Sequence, residues 1–370
     1  MKTNEIQVSI CVIYRDEERN LERFLASILP LGAEMIFVDT GSRDRSREIL
    51  LDHGIESHFF AWNDDFSAAR NFSLKLAGKA YILVLDVDEE ITAEDYDRLL
   101  KIAAASYAQG FFLDLINFSD DYREPGWHSS GQLPERFQRV AAGFSVSSMV
   151  RFFVNRPEIR FSGRIHEMVV QSLRENSLPI AATPIPIYHY GWTLTGRSAS
   201  EIEAKKKVYR ELHLSEWRSS GEPQAAYYYL VAIDDEREKI REALRMTGLF
   251  PGRAVFWEQL AMTAANLREW PRALAYAEKG LARHCGNEVL LAVKAVSLNE
   301  TARPEAALSL LEKLLAVNPG HPVYILEKIK ALLLARRRRE ALKTAENLPP
   351  NFPADLRRIV TGLIGTGIVT

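Results

Sequence analysis

Asp86-Val87-Asp88 closes the apolar run Tyr81-Ile82-Leu83-Val84-Leu85. A buried strand that ends in two carboxylates presents hard oxygen ligands where the chain frays into a loop. Residues one apart on a strand face opposite ways, and residues two apart share a face, so Asp86 and Asp88 are expected to converge on one ion. Oxygen ligands of this kind suit Mg²⁺ or Mn²⁺. Such an ion neutralises a diphosphate and stabilises it as it leaves. By itself the triplet is as readily a surface loop, so the surrounding residues must decide.

The elements that would position those carboxylates are legible upstream. Gln7 to Tyr14, Met35 to Asp39 and Tyr81 to Leu85 read as strands, alternating with helical patterns over Arg19 to Leu29, Asp44 to His53 and Phe66 to Ala77. That alternation predicts a parallel α/β sheet, whose ligands sit beyond the carboxyl ends of the strands. Three such ends carry Arg15-Asp16-Glu17, Asp39-Thr40-Gly41-Ser42 and Asp86-Val87-Asp88, which are expected to meet along one edge. From Gly110 to Trp192 the pattern is mixed, with strand-like Phe111-Phe112-Leu113 and Val150 to Val154 and a turn at Glu124-Pro125-Gly126. This predicts one Rossmann-like α/β domain over 1–198, with a nucleotide-binding half at 1–108 and an acceptor half at 109–198. A helical linker over 199–253 and an all-α repeat domain over 254–370 would follow.

The repeat can be counted. Ala273, Ala307 and Ala341 lie 34 apart, as do Leu274, Leu308 and Leu342, and Glu278, Glu312 and Glu346, while Pro319 and Pro353 keep the same step. Small residues let paired helices approach closely, and each proline stops a helix before the next unit begins. The period resembles tetratricopeptide repeats, with Trp257, Leu260, Ala261 and Ala273 at that motif's spacings. Lys294 and Lys328 depart from it where leucine is usual, and Cys285 replaces a proline. Stacked helix pairs of this kind present a concave surface suited to a peptide or protein.

Composition narrows the function classes. With 47 basic and 49 acidic residues among 370, the net charge of −2 gives no footprint for nucleic acid or an anionic membrane. Cys11 and Cys285 alone form no disulfide framework or zinc spacing. No uncharged stretch approaches the roughly 18 residues that a membrane span needs, and Met1 to Glu5 lack a signal pattern. A cytoplasmic protein without an integral membrane segment is expected.

Val8 to Leu21, containing Tyr14-Arg15-Asp16-Glu17, is followed by Asp39-Thr40-Gly41-Ser42-Arg43-Asp44, Asp65-Phe66-Ser67-Ala68-Ala69-Arg70-Asn71 and Asp86-Val87-Asp88-Glu89. In this order the segments resemble family 2 glycosyltransferases of GT-A fold over roughly residues 6 to 92. Phe161-Ser162-Gly163-Arg164-Ile165-His166-Glu167 is similar to a later pattern of the branch that holds lipopolysaccharide-core, flagellin-modifying and sublancin-type peptide glycosyltransferases. Asp16 stands where that family usually has asparagine.

The resemblance implies a UDP-sugar donor, with Asp39 accepting the uracil N3 hydrogen and the backbone around Ile13 and Arg15, next to Asp16, flanking the base. The other role open to Asp39 is capping the helix that starts near Asp44, which Ser42 could fill equally. Arg70 would reach the base or diphosphate, unless it is a solvated helix charge. Asp86 would face ribose and ion, Asp88 would ligate the Mn²⁺ or Mg²⁺, and His166 would complete its coordination. Glu167 would take the acceptor's proton, as inverting transfer requires, with Asp114, Asp120, Asp121 and Glu135 as rivals and a structural His-Glu pair as the alternative. His189 would bind diphosphate or metal, or else be a core histidine. The expected function is metal-dependent inverting transfer of a hexose or N-acetylhexosamine from UDP to a protein or peptide side chain held in the repeat groove, flagellin Ser/Thr among the candidates. The alternatives are a lipopolysaccharide-core or other envelope glycan as acceptor, and a repeat-based adaptor without catalysis.

Overall fold

The computed structural model describes residues 7–124, 126–191, 199–349 and 352–366. Pro125, Trp192 and the boundary drawn at residue 198 lie outside the described residues. The chain divides into two compact units.

The first unit runs to Phe118 and resumes at Ser145. Its elements begin with β1 (Val8–Tyr14), α1 (Leu21–Ile28), β2 (Glu34–Asp39), α2 (Ser46–Asp52), β3 (His58–Phe59), α3 (Phe66–Leu76), β4 (Tyr81–Val84), β5 (Glu89–Glu90) and α4 (Ala93–Ala105). They continue with β6 (Gly110–Ser119), β7 (His128–Ser129), β8 (Gly143–Val154), α5 (Val170–Glu175) and β9 (Ile180–His189), of which β7 and the ends of β6 and β8 fall in the second unit. The strands form one mixed sheet in the order β3-β2-β1-β4-β8-β6-β9-β5, with β7 alongside β8. β1 pairs in parallel with β2 on one side and β4 on the other, and β2 with β3, as the alternation of elements predicts.

All seven residues of β1 are buried, which is what a central strand covered on both faces requires. Val8, Ile10, Val12 and Tyr14 point into one core with Leu83, Leu85, Phe111 and Ile187. Cys11 and Ile13 point into the other with Val38, Val84, Phe153 and Phe161. Burial and apolar surroundings push the Cys11 thiol up to about 12, so it packs as a small hydrophobe. Helix α3 starts where the Asp65 carboxylate accepts the Ala68 N–H, and α4 where the Thr92 hydroxyl accepts that of Asp95.

The second unit joins Ser119–Phe144 to the helices from Ala199 on, so the acceptor half expected as one piece over 109–198 is interrupted. Trp127 explains why. It is 2% exposed, its Nε1 donates to the Ser119 carbonyl at 3.0 Å, and its own carbonyl accepts Asn318 Nδ2 at 2.7 Å. The His321 ring meets it edge-on at 5.7 Å. Gly143 is required beside it, because a Cβ there would come within 2.0 Å of the indole.

The helices are α6 (Ala199–Ser220), α7 (Pro223–Val231), α8 (Glu236–Leu249), α9 (Ala254–Asn266), α10 (Trp270–Leu281), α11 (Glu288–Glu300), α12 (Pro304–Val317), α13 (Pro322–Leu334), α14 (Arg338–Glu346) and α15 (Ala354–Thr366). Pairs α9/α10, α11/α12 and α13/α14 repeat with the counted period, and Ala273, Ala307 and Ala341 are fully buried. The turn inside each pair places a left-handed residue at the same register: Arg268 (φ +57°), Ala302 (φ +54°) and Arg336 (φ +61°). A left-handed residue is how a helix satisfies its last carbonyls before reversing. Among the described residues no helix is long and apolar enough to cross a membrane.

Candidate active site

The loops beyond β1 and β2 are laced together by side chains acting as acceptors for the opposite backbone. Asp16 Oδ1 accepts the Arg43 N–H at 2.7 Å, Ser42 Oγ accepts that of Asp16 at 3.0 Å, and Ser46 Oγ accepts that of Glu17 at 2.8 Å. Asp44 Oδ2 takes the Glu18 N–H at 3.0 Å, and Glu18 Oε2 in turn accepts the Arg45 N–H at 3.1 Å. Asp16 adopts φ +55°, a left-handed conformation that Asp and Asn tolerate best after glycine. The position therefore uses an acceptor oxygen on a left-handed residue, and Asp supplies both. Asp39, 2% exposed, spends Oδ1 on the N–H groups of Gly41 and Ser42 at 3.0 and 2.8 Å, and Arg47 Nε stands 3.6 Å from its Oδ2. Asp39 shapes its own loop and does not cap α2, whose start is held by Asp44 Oδ1 on Ser46 N at 3.0 Å.

Past β4 the chain turns at once, with Glu89 N donating to the Asp86 carbonyl at 2.9 Å. That i to i+3 bond ends the strand's two-residue alternation, so the carboxylates of Asp86 and Asp88 go to different partners. Asp86 Oδ1 is ion-paired with Arg70 Nη2, and its Oδ2 lies 3.2 Å from Arg151 Nη2. Arg70 Nε also donates to Glu167 Oε1 at 3.0 Å, and Arg151 Nη2 to Glu89 Oε1 at 2.6 Å. Glu89 Oε2 closes the ring by accepting the Asp86 N–H at 2.9 Å. Burial alone would push the Asp86 carboxyl up, but the charges of Arg70 and Arg151 outweigh it and hold it well below the usual carboxylate range. Glu89 goes the other way, pushed up to about 7 by burial against the opposing charge of Arg151.

Asp88 faces His189 instead, with Oδ2 3.4 Å from Nε2, while Tyr190 N donates to the Asp88 carbonyl at 2.9 Å. Strand β9 carries His189 between β6 and β5, in register with Asn117 on one side and Glu89 on the other. Burial pulls the imidazole pKa down, but the hydrogen bond and charge of Asp88, with the charges of Glu89 and Asp86, win and raise it.

His166 (φ +54°) and Glu167 belong to a loop pinched shut by paired backbone bonds between Ser162 and Met168, at 3.0 and 2.9 Å. Asn71 fastens that loop to α3: its Nδ2 donates to the Phe161 carbonyl at 2.9 Å and its Oδ1 accepts the Phe161 N–H at 2.8 Å. Glu167 keeps Oε2 without a partner among the described residues.

Several expectations change. Arg70 is neither a solvated charge nor turned to a ligand; it is 3% exposed and bridges two carboxylates. Asp86, Asp88 and His166 do not gather as three ligands, because the turn sends Asp86 to the arginines, and among the described residues no three His, Cys, Asp or Glu side chains are disposed to hold a metal. His189 is not a core histidine but the partner of Asp88. Ile13 lies inside β1 opposite Val38, and Arg15 is exposed beside Asp16. Asp120 accepts the Ala142 N–H from across the chain, and Asp121 pairs with Arg123 in its own turn. Arg151 and Asn117 lay outside every motif, whereas Asn71 and Glu89 closed two of the motif segments without an assigned place in the site.

Two groups in this site could hold a divalent cation. Asp88 offers a carboxylate and His189 an imidazole nitrogen, and Mg²⁺ or Mn²⁺ bound by so few protein groups keeps its other positions for phosphate and water. The model of the glycosyl transferase family 2 matches residues 9–158. A TPR repeat-containing protein of Synechococcus elongatus is 38% identical over 192 residues, covering 50% of this chain and 42% of that protein. The SPbeta prophage-derived glycosyltransferase SunS of Bacillus subtilis is 23% identical over 228 residues, covering 60% of this chain and 47% of that protein. The chain thus spans less than half the length of either curated relative. The crystal structure of S. aureus TarS 1-349 in complex with UDP-GlcNAc covers 98% of this chain and 92% of its own at 14% identity, with a TM-score of only 0.38. Residues 9–158 thus match the glycosyl transferase family 2 model, and a run of paired helices follows them.

Proposed function

We infer that this chain transfers a sugar from a UDP-sugar to a protein or peptide side chain with inversion, assisted by Mn²⁺ or Mg²⁺. One observation carries the reading: Arg70, Asp86 and Asp88, inside the stretch that matches the family 2 model, meet Glu167 and His189 from beyond it, so that Asp88 with His189 stands beside a buried Arg70 that links the strand-tip Asp86 to Glu167. A bound cation would supply charge neutralisation for the departing diphosphate. Asp88 and His189 would hold it, and Asp39 would accept the uracil N3 hydrogen where the laced loops end. Glu167 is oriented through Oε1 by Arg70, leaving Oε2 to take the proton that the acceptor hydroxyl must lose. The paired helices offer a surface for an extended acceptor. Incubation with UDP-sugars and Mn²⁺ tests the reading: cation-dependent release of UDP, lost in Asp88→Ala, is expected. Full turnover in that variant would reject it, and absence of UDP binding by calorimetry would favour a repeat-based adaptor. An envelope glycan as acceptor would show as transfer to purified lipopolysaccharide core with no mass added to a peptide.

A further inference from the structure

The amide of Asn117 is fixed end for end by its surroundings. Its Nδ2 lies 3.2 Å from the Leu115 carbonyl, 3.4 Å from the Ser145 carbonyl and 3.0 Å from Ser147 Oγ. Carbonyl oxygens only accept, so the amide end facing them must be the NH₂, and the other end must be the oxygen. That oxygen stands 2.8 Å from His189 Nδ1. A carbonyl-type oxygen at this distance requires a proton on Nδ1. The remaining ring nitrogen, Nε2, is the one aimed at Asp88 Oδ2, 3.4 Å away.

We propose that Asn117 is a positioning residue that fixes the His189 tautomer, so that Nε2 offers its lone pair toward Asp88 and the two together bind a divalent cation. The idea rests on the transfer reading above for what the cation does, but not for its own test. With its proton held on Nδ1, the ring leaves Nε2 to face Asp88 either as a second N–H donor or, unprotonated, as a lone pair that a positive centre shared with Asp88 would satisfy. Hydrogen-bond partners behind a ligating histidine commonly set its orientation and its affinity for metal.

Long-range nitrogen–proton NMR of the imidazole, in metal-free protein at alkaline pH, reads the tautomer directly, with the His189 signal identified by its loss in His189→Gln. A pyrrole-type Nδ1 and a pyridine-type Nε2 are expected; the reverse would overturn the proposal. Electron paramagnetic resonance of free Mn²⁺ supplies the second arm. Asn117→Leu, folded by circular dichroism, should bind Mn²⁺ about 10–100-fold more weakly than wild type, and unchanged affinity would overturn the proposal. Should that variant fail to fold, the wild-type tautomer decides alone. If tautomer and affinity behave as stated while no sugar is transferred, the transfer reading falls and the role of Asn117 stands.

Discussion

Arg70→Met is the most informative single change, because it keeps the stem that packs in α3 and removes only the charge that joins two carboxylates. Glu167 would lose its one partner among the described residues, and Asp86 would keep Arg151 alone, 3.2 Å away. Breaking a buried ion pair by deleting one member costs about 3–5 kcal/mol, since the other charge stays buried without compensation. Of the two carboxylates left behind, Glu167 is 14% exposed and Asp86 33%, so solvent softens the loss chiefly at Asp86 and the lower part of that range is expected there. At roughly 2–4 °C per kcal/mol for a unit of this size, the melting temperature should fall by roughly 6–20 °C. Adding Glu167→Gln to Arg70→Met should recover part of the loss, and the double-mutant cycle gives the coupling. The acid limb adds an independent check. Asp86 is depressed in the folded state, so its contribution is present above the unfolded carboxylate pKa of about 3.9 and is lost as pH falls through the folded value. Without Arg70 the depression shrinks, and the midpoint of acid unfolding should move to higher pH. A variant that melts within about 2 °C of wild type, with an unmoved acid midpoint, would refute the view that Arg70 is a coupled hub.

Three other outcomes follow from the same geometry. Glu167→Gln retains an oxygen for Arg70 Nε but cannot take a proton, so kcat for sugar transfer should drop about 100-fold or more while UDP affinity by calorimetry stays put; an unchanged kcat would move the base elsewhere. Asp88→Asn should cost about 3 kcal/mol, near two decades of Mn²⁺-dependent turnover, with little change in melting temperature; equal turnover would remove Asp88 from the cation site. In the helical unit, burial and then the nearby His128 lower the His321 pKa from 6.5 to about 3. The unfolded chain therefore binds the proton first, so stability is full above pH 6.5 and is lost as pH falls toward 3. At pH 5 the loss is about 2 kcal/mol, and urea unfolding of His321→Gln should show a flatter pH profile over that window.

Much of the architecture was legible because it rests on local periodicity. β1, β2, β4 and α1 to α3 fall where apolar alternation and capping residues place them, and the 34-residue step survives as buried alanines at 273, 307 and 341. The division of the acceptor half was not legible. What ties Ser119–Phe144 to the helices is a bond from Asn318 to the Trp127 carbonyl and the ring of His321, groups some 190 residues away in the chain, with no period to announce them. β9 was missed for a different reason: Thr183-Pro184-Ile185-Pro186 reads as a breaker, and the pairing with β6 absorbs it through a register shift between Phe112 and Asp114.

At the site, residue type foretold which atoms would matter but not which would meet. The strand-face rule holds only while the chain stays extended, and the backbone bond from Glu89 to Asp86 ends it one residue after β4, so two carboxylates written two apart acquire separate partners. A helix charge such as Arg70 looks solvated in one dimension, because burying it needs counter-charges that arrive from β4 and from residue 167. Five ionised groups drawn from α3, β8 and three loops or short strands can share one buried cluster only if each finds a partner of opposite sign. Here two arginines face three carboxylates, and burial resolves the imbalance by pushing Glu89 up to about 7. The charge state of this cluster therefore changes near neutrality at Glu89, behind Asp86 and next to His189 in the pairing of β5 with β9.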